Sequence, residues 1–408
     1  MPRLLRRFIS LLVLLLAAPA AAVAAWQASL LTCSPGEAIY ELYGHTALRL
    51  RNSDTGEDWA FNYGIFNFSK PHFVWRFVLG ETDYELGVVP FRYFAVSYAA
   101  DGRSVDEQVL NLRPDEAERL YELLMENYRP ENRVYRYNFL YDNCTTRAVA
   151  MVERSLDGRL VLPEARDRKT FRDIIHEFSA DSPWDKAGQD LLIGAEVDRP
   201  IGVRLRLFAP LYAERYLARA QVVRRDGSRA LLAQPAERIV DVPAPARSPQ
   251  PVTPGLVASV ALLAAVAACA AEWRRRRVWL WLDAVQMLLR GLMGCVIAVL
   301  FFCSAHPAVD SNWLLLLLNP LPLVALPLHA WRVRRGRRDL YHPVAAVVAL
   351  VFLGLAVAGV QSFPPEMVAL ALILLIQSVT ALAVQLENKR KLHRAARPQG
   401  VAPSQLDA

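Results

Sequence analysis

The second half of the chain is dominated by long apolar stretches, whereas the first half alternates short apolar segments with polar turns. The long stretches cover residues 255–271, 280–304, 313–331, 342–361 and 366–386. A helix needs about 20 predominantly apolar residues to cross a bilayer. The pattern therefore predicts a domain of five membrane-spanning helices over residues 255–388.

The segment 26–240 has the pattern of a soluble domain that mixes strands and helices. Residues 47–51 and 59–63 are typical of short strands, and residues 52–56 between them are rich in turn formers. These features predict a hairpin, and its second strand contains the polar residue Asn62.

Two helices are predicted later in the same domain. The segment from Pro114 to Tyr128 begins with proline and carries acidic residues in its first turn. Apolar residues recur at helical spacing from Ala148 to Leu156, after Asn143-Cys144-Thr145-Thr146. The second helix is therefore expected to begin at Cys144, and the soluble domain is expected to be α+β.

The chain begins with the pattern of a secretory signal peptide over residues 1–25. Three arginines precede an apolar run over residues 8–16, and the small residues Ala22-Val23-Ala24 follow. Thr32 does not suit the position before a lipidated cysteine, so we interpret Cys33 as unmodified. Five prolines between 241 and 254 predict an extended linker between the soluble and membrane domains.

Basic residues cluster at alternate ends of the predicted spans. Clusters occur at 274–277, at 332–338 and from Lys389 onwards, whereas the connections 306–312 and 362–366 contain no Lys or Arg. The positive-inside rule places the basic loops in the cytoplasm. The sequence thus predicts a multi-pass inner (plasma) membrane protein with a periplasmic soluble domain and a basic cytoplasmic tail over residues 389–408.

The overall basicity belongs to the membrane part of the chain. The 408 residues carry a net charge of +7, but residues 26–253 contain 29 basic and 33 acidic residues. A nucleic-acid-binding domain needs a basic face, and this soluble domain is mildly acidic. We therefore exclude a nucleic-acid partner.

Cys144 and His45 are the candidate catalytic pair. A helix N-terminus and a nearby imidazole both lower the pKa of a thiol, and His45 stands at the start of a predicted strand. A helix-capping cysteine paired with a strand histidine is typical of papain-like sites. Asn62 is the candidate that orients the imidazole, with Asn67 as the second choice.

Non-catalytic interpretations of the same residues stay open. Cys144 and His45 are 99 positions apart, and a lone cysteine and histidine so far apart are more often a buried thiol and an ordinary polar histidine than a catalytic pair. An exported domain also permits a disulfide between Cys33 and Cys144. His72 and His176 have no partner pattern, and no cluster has metal-ligand spacing, so neither a metal nor a cofactor is predicted.

Several polar residues in the membrane part call for explanation, because polar groups are costly in lipid. Asp283 and Arg290 lie seven positions apart on one predicted helix. His306 and Asn319 belong to a polar group at the predicted outer ends of the second and third spans. This group is a candidate for guiding a lipid head group towards the thiol. The alternative is that Asp283 and Arg290 lie at the cytoplasmic interface and that His306 is a solvated loop residue.

The order of histidine before cysteine resembles circularly permuted papain-like folds, including lecithin:retinol-acyltransferase-like and NlpC/P60-like proteins. The chain as a whole resembles the Lnb-type family of lipoprotein N-acyltransferases, which join such a periplasmic domain to a C-terminal transmembrane domain. The resemblance rests on segments 29–36, 43–49, 61–64, 128–132, 141–144, 171–173, 183–184, 190–194 and 198–199, and more loosely on Asp283, Gly291, Gly294, His306 and 319–321.

The resemblance implies transfer of an acyl chain from a phospholipid donor to the N-terminal cysteine amine of a lipoprotein acceptor, through a thioester on Cys144. His45 would move the protons and backbone N–H groups at the start of the Cys144 helix would hold the oxyanion. We expect Tyr43, Asn143, His306 and Asn319 to contact the substrate. A membrane-tethered Cys-His hydrolase, acting as peptidase, amidase or phospholipase, and a non-catalytic envelope scaffold are the alternatives.

Overall fold

The computed structural model describes residues 26–66, 71–243, 250–337 and 339–395. Within these residues the chain divides into two compact units. The first contains residues 26–66, 82–167 and 202–243, and the second contains residues 71–81, 168–201 and the described residues from 250 onwards. The predicted signal peptide, Asn67 and the centre of the proline-rich linker lie outside the described residues.

Ten strands belong to the first unit. In chain order they are β1 (Trp26–Cys33), β2 (His45–Asn52), β3 (Asp58–Ile65), β4 (Asp83–Pro90), β5 (Val105–Val109), β6 (Val134–Arg136), β7 (Gly158–Val161), β8 (Gln221–Arg224), β9 (Arg229–Leu231) and β10 (Glu237–Val240). Seven of them form one antiparallel sheet in the order β10-β5-β1-β2-β3-β4-β6, and β7-β8-β9 form a smaller sheet.

The described helices are distributed over both units. In chain order they are α1 (Phe73–Val78), α2 (Phe91–Ala100), α3 (Pro114–Tyr128), α4 (Cys144–Ser155), α5 (Phe171–Phe178), α6 (Pro183–Leu192), α7 (Val203–Arg206), α8 (Pro210–Leu217), α9 (Pro254–Arg275), α10 (Leu280–Cys303), α11 (Leu314–Leu317), α12 (Leu321–Arg334), α13 (Tyr341–Val357) and α14 (Pro365–Ala395). A 3₁₀ turn spans Ala195–Asp198.

The predicted β2–β3 hairpin is confirmed, and its turn has a local cause. The side-chain oxygen of Asn52 accepts hydrogen bonds from the N–H groups of Asp54 and Thr55, at 2.9 and 3.1 Å. Gly56 adopts a φ of +74°, which a residue without Cβ takes at no steric cost. Asn-centred turns of this kind fix the register of the two strands.

Helix α4 packs on the face of the sheet formed by β2 and β3, and α3 packs beside it. Its buried residues, including Ala148, Val149 and Val152, join the main hydrophobic core with Leu48 and Phe61 of the sheet. An antiparallel sheet covered by helices confirms the α+β class. The packing of α4 in this core places its N-terminus next to the start of β2.

The second unit contains the apolar helices of the membrane part. Four helical segments in the described residues are long and apolar enough to cross a membrane: Pro254–Arg275, Leu280–Cys303, Leu314–Arg334 and Pro365–Lys391. The remaining apolar helix, α13, has 17 residues. The third segment is interrupted between α11 and α12 at Asn319-Pro320, because proline lacks the N–H that would continue the first helix.

The last helix extends further than the sequence pattern predicted. Helix α14 runs to Ala395, whereas the sequence placed the end of the membrane domain at 388. Residues 386–391 are rich in Leu, Glu, Lys and Arg, which are strong helix formers and continue an existing helix. The helix therefore continues into the predicted basic tail as far as residue 395, and the rest of the tail lies outside the described residues.

Residues 168–201 fold with the apolar helices through a buried ionic cluster. Arg172 binds Asp190 and Asp198, each at 2.6 Å, and also donates to the carbonyl of Gly194 at 3.0 Å. The backbone of Ser362 donates to Asp198 at 2.9 Å. A buried charge is costly unless it is paired and hydrogen-bonded. Asp190 and Asp198 are therefore needed to neutralise the buried Arg172.

Candidate active site

Cys144 is the first residue of α4, and Asn143 holds it there. The side-chain oxygen of Asn143 accepts from the N–H groups of Thr145 and Thr146, at 2.9 and 3.0 Å. Its amide nitrogen donates to the carbonyls of Phe139 and Phe208, both at 2.8 Å. Asparagine is a favoured helix N-cap because its side chain satisfies N–H groups that have no partner within the helix.

The N-cap changes the prediction for the oxyanion. Two of the N–H groups at the start of α4 already bind Asn143, so they are engaged within the protein. The N–H of Cys144 itself precedes them at the first helical position, where the helix supplies no acceptor. It is the N–H group at this end of α4 that suits an oxyanion best.

His45 is the first residue of β2 and lies beside both Cys144 and Asn62. Its Nε2 forms a short hydrogen bond with Oδ1 of Asn62, which is on the neighbouring strand β3. Because Nε2 is engaged, Nδ1 is the nitrogen left to exchange a proton with the thiol. The structure thus brings together Cys144, His45 and Asn62, the three residues that were predicted from the sequence as the catalytic group.

The pair is electrostatically coupled. Burial alone would raise the pKa of Cys144, but the His45 imidazolium and the N–H of Thr46 outweigh it and lower the pKa to about 7. Burial alone would lower the pKa of His45, but the Cys144 thiolate and the Asn62 oxygen raise it above its ordinary value. Both shifts favour a thiolate–imidazolium pair near neutral pH.

Cys33 has the opposite character. It is fully buried on β1, opposite His45 in the sheet, and burial raises the pKa of its thiol to about 12. Cys33 and Cys144 are both free thiols in the structure. Of the two, only Cys144 has the electrostatic environment of a nucleophile.

The difference between the two thiols predicts their alkylation. We expect a small thiol reagent to modify Cys144 with a midpoint near pH 7, since the thiolate is the reactive form and its fraction rises through the pKa. In His45→Ala the midpoint should move upward, because burial remains and the imidazolium is gone. Cys33 should stay unmodified below pH 10 and serves as an internal control; equal midpoints for Cys144 in the wild type and the variant would contradict the coupling.

Tyr135 is a candidate functional residue that the sequence did not indicate. Gly64 has a φ of +92°, and a Cβ built on it would lie 3.7 Å from Cβ of Cys144, 3.9 Å from Cε1 of His45 and 4.0 Å from the phenol oxygen of Tyr135. That oxygen is buried and has no hydrogen-bond partner among the described residues. The phenol therefore borders the same small space as the catalytic pair, with an O–H to donate.

Two family models match the chain in the order of its parts. The model of the Lnb N-terminal periplasmic domain matches residues 19–177, and that of the Lnb transmembrane domain matches residues 246–389. The chain belongs to the Lnb family. It is thus a membrane-bound protein with a periplasmic N-terminal domain. No curated protein and no solved structure gives a significant match to it.

Tyr43 and Asn143, which the resemblance to the Lnb family suggested as substrate contacts, are engaged within the protein. Tyr43 is buried and packs edge-on against Phe139 with ring centroids 4.8 Å apart. Asn143 uses its amide for the N-cap described above. Their contact with substrate stays a prediction, and their structural role is to hold the ends of β2 and α4.

His306 and Asn319 lie in the second unit of this Lnb-family chain. His306 is half-buried, with Nε2 2.6 Å from the carbonyl oxygen of Phe77. The amide of Asn319 donates to the carbonyl of Leu316 and accepts from the N–H of Leu321, at 3.0 and 3.1 Å, so it bridges the break between α11 and α12. Their role as substrate contacts also stays a prediction.

A cluster of metal-binding side chain types lies elsewhere in the second unit. The ligand atoms of Asp283, His329 and His342 all lie within 4.8 Å of one another, and all three residues are buried. The sequence predicted no metal because these residues are far apart along the chain and have no ligand spacing. Three different helices bring them together.

Proposed function

We propose that this protein is a thiol acyltransferase that moves an acyl chain from a phospholipid to the N-terminal amine of a diacylated lipoprotein. The Cys144–His45–Asn62 arrangement carries the proposal, because it combines a thiol of lowered pKa with an imidazole held in a fixed orientation. Membership of the Lnb family and the apolar helices of the same chain support a lipidic substrate. A circularly permuted papain-like fold for the first unit is part of the proposal.

In the first half-reaction, Sγ of Cys144 attacks the ester carbonyl carbon of the phospholipid. The C–O bond to the glycerol oxygen breaks, and the His45 imidazolium gives its proton to the leaving alkoxide. The products are a Cys144 thioester and a lysophospholipid. Asn62 acts through His45, because it holds the ring in the orientation that this transfer needs.

In the second half-reaction, the lipoprotein amine attacks the thioester carbonyl. Neutral His45 takes the proton that the amine loses, the C–S bond breaks, and the Cys144 thiolate returns as the amide forms. The phenol of Tyr135 and the N–H of Cys144 would donate to the oxyanion of both tetrahedral intermediates. Donors of this kind act most strongly where water is excluded, as it is around the buried Tyr135 oxygen.

Exposed apolar side chains on the first unit support a lipidic substrate. Ile39 and Tyr40 lie on the connection that leads into β2, and both are more than half exposed. Tyr93 and Val96 on α2 are also more than half exposed, and Tyr98 of the same helix stacks near His45. Exposed aromatic and aliphatic residues of this kind suit contact with acyl chains or the membrane interface.

The test uses purified full-length protein, a phospholipid with a labelled acyl chain, and a synthetic diacylated lipopeptide. The expected products are a hydroxylamine-sensitive adduct on Cys144 without acceptor, and a hydroxylamine-resistant amide on the lipopeptide with acceptor. Release of labelled fatty acid with no amide would identify a phospholipase instead. Absence of any adduct or acyl product would contradict both phospholipid activities.

We also propose that the membrane domain crosses the inner membrane five times. Helix α13 is about 25 Å long by its 17 residues, and 17 residues is the short end of the range for a span. Five crossings place the C-terminus in the cytoplasm with all three basic clusters, whereas four would place it in the periplasm. A C-terminal green-fluorescent-protein fusion should fluoresce and a C-terminal alkaline phosphatase fusion should be inactive; the reverse pattern would support four crossings.

A further inference from the structure

We propose that Asp283, His329, His342 and Asp339 bind one zinc ion within the second unit. This inference rests on the geometry of these four side chains and does not depend on the acyltransferase function. Asp283 comes from α10, His329 from α12 and His342 from α13, while Asp339 precedes α13 by two residues. The set offers two imidazole nitrogens and two carboxylate oxygens, a combination that suits zinc.

The distances between the ligand atoms suit a single ion. Oδ2 of Asp283 lies 3.1 Å from Nε2 of His329 and 3.4 Å from Nε2 of His342. Nε2 of His342 lies 3.7 Å from Oδ2 of Asp339. With metal–ligand bonds of about 2.1 Å, the ligand atoms of a tetrahedral zinc site lie about 3.4 Å apart. The ligand atoms of Asp283, His329 and His342 are therefore close to the spacing that one shared ion requires, and the Asp339 carboxylate lies beside His342 as the fourth ligand.

His342 is the residue that most needs a ligand. It is 1% exposed, and neither ring nitrogen has a hydrogen-bond partner among the described residues. The carboxylate oxygens of Asp283 and Asp339 lie 3.4 and 3.7 Å from Nε2 of His342, and neither contact has the geometry of a hydrogen bond. Unsatisfied polar groups at buried positions require an explanation, and an ion bound between Nε2 and the two carboxylates would provide one for that nitrogen.

Asp339 is held in place as a ligand by neighbouring groups. Its Oδ1 accepts from the N–H groups of Tyr341 and His342, at 2.9 and 3.3 Å. Its Oδ2 accepts from the side-chain amide of Gln385 on α14, at 2.8 Å. Hydrogen bonds to the ligating carboxylate are typical of metal sites, because they fix its orientation.

The charge balance also favours zinc in an apolar surrounding. Two carboxylates neutralise a divalent cation, and two neutral imidazoles add no charge, so the complex carries no net charge into the membrane domain. Burial of all four side chains leaves little room for an exchangeable water, which is typical of a structural rather than a catalytic zinc site. The ion would fasten α10, α12 and α13 to one another at the ends that carry the basic clusters.

The test is the metal content of the full-length protein, purified in detergent from cells supplied with zinc and measured by inductively coupled plasma mass spectrometry. We expect about one zinc ion per wild-type chain, as a closed four-ligand site requires, and loss of most of it in Asp283→Asn and His342→Ala. His393→Ala, which removes an exposed histidine on α14, is the matched control and should keep its zinc.

A second variant distinguishes the loss of a metal ligand from misfolding of the protein. His342→Cys replaces one ligand by another that zinc and cobalt bind well, so it should keep the metal. After loading with Co²⁺, this variant should show a sulfur-to-cobalt charge-transfer band that the wild type lacks. A folded His342→Cys protein without the band would overturn the proposal.

Two other outcomes would also overturn it. The first is a wild-type protein that holds no zinc even after equilibration with the ion, which would leave the cluster as a network of histidines paired with carboxylates. The second is zinc retained in full by both Asp283→Asn and His342→Ala, which would place the ion elsewhere.

Discussion

A Cys144→Ala variant should form no acyl adduct and should transfer no acyl chain above background, a loss on the order of 10⁴-fold or more. The thiolate is the atom that bonds to the acyl group in the proposed reaction, and Cys144 combines a lowered pKa with a histidine partner. Cys33 is buried with its pKa raised to about 12, and Cys303 lies exposed on α10 of the membrane part. The measurement is mass spectrometry of the labelled protein together with the rate of lipopeptide acylation.

The matched control is Cys303→Ser, which removes an exposed thiol and should leave both adduct and transfer unchanged. His45→Ala should fall between the two, because a general acid–base contributes about 10²–10⁴-fold and the nucleophile remains. An acyl adduct that persists on the Cys144→Ala protein would show that another side chain carries the acyl group. Unchanged transfer in His45→Ala would show that the imidazole moves no proton.

The parts of the site that could be predicted from sequence are those with local signals. Asn143 before Cys144 is a capping pattern, and the hairpin from His45 to Asn62 follows from turn residues between two alternating segments. Each of these features depends on residues close together in the chain, where propensity and hydrogen bonding to the backbone decide the structure. For this reason the pairing of His45 with Asn62 could be predicted from the sequence.

Tyr135 and the Asp283 cluster had no such signal. Tyr135 lies on β6, a strand of three residues whose position depends on pairing with β4, about fifty residues earlier. His329 and His342 meet Asp283 only because three apolar helices pack together, and the hydrophobic pattern gives their lengths but not their neighbours. Tertiary packing decides both cases, and no spacing rule in one sequence can supply it.

The longer-range hydrogen bonds also explain residues that the sequence left without a role. Asp198 neutralises the buried Arg172 and accepts from the backbone of Ser362. Trp184 donates from its indole N–H to the carbonyl of Val252, at 2.8 Å. Both residues bind partners that are distant along the chain, so their place in the family resemblance has a structural explanation within the second unit.

A Tyr135→Phe variant should lose acyl transfer by about 10²–10³-fold, the usual effect of removing one oxyanion donor. The phenol oxygen is buried beside Cys144 and His45 and makes no hydrogen bond among the described residues, so its removal breaks no bond in the resting protein. The ring remains to pack under Arg147, whose guanidinium lies 3.6 Å from the ring centroid. Removing a buried, unpartnered hydroxyl is neutral or stabilising, so the thermal midpoint should stay level or rise while activity falls.

The separation of these two readouts tests the role of the phenol. Tyr121→Phe is the matched control, because it removes a phenol that packs against the same core and stacks on Trp26, away from the catalytic pair. It should leave the transfer rate near that of the wild type. Because Cys144 and His45 remain in Tyr135→Phe, the acyl adduct on Cys144 should still form on long incubation, and the pH midpoint for alkylation of Cys144 should stay near 7.

A transfer rate of Tyr135→Phe within threefold of the wild type would contradict the oxyanion role. A fall in activity together with a lower thermal midpoint would mean that the hydroxyl supports the fold instead.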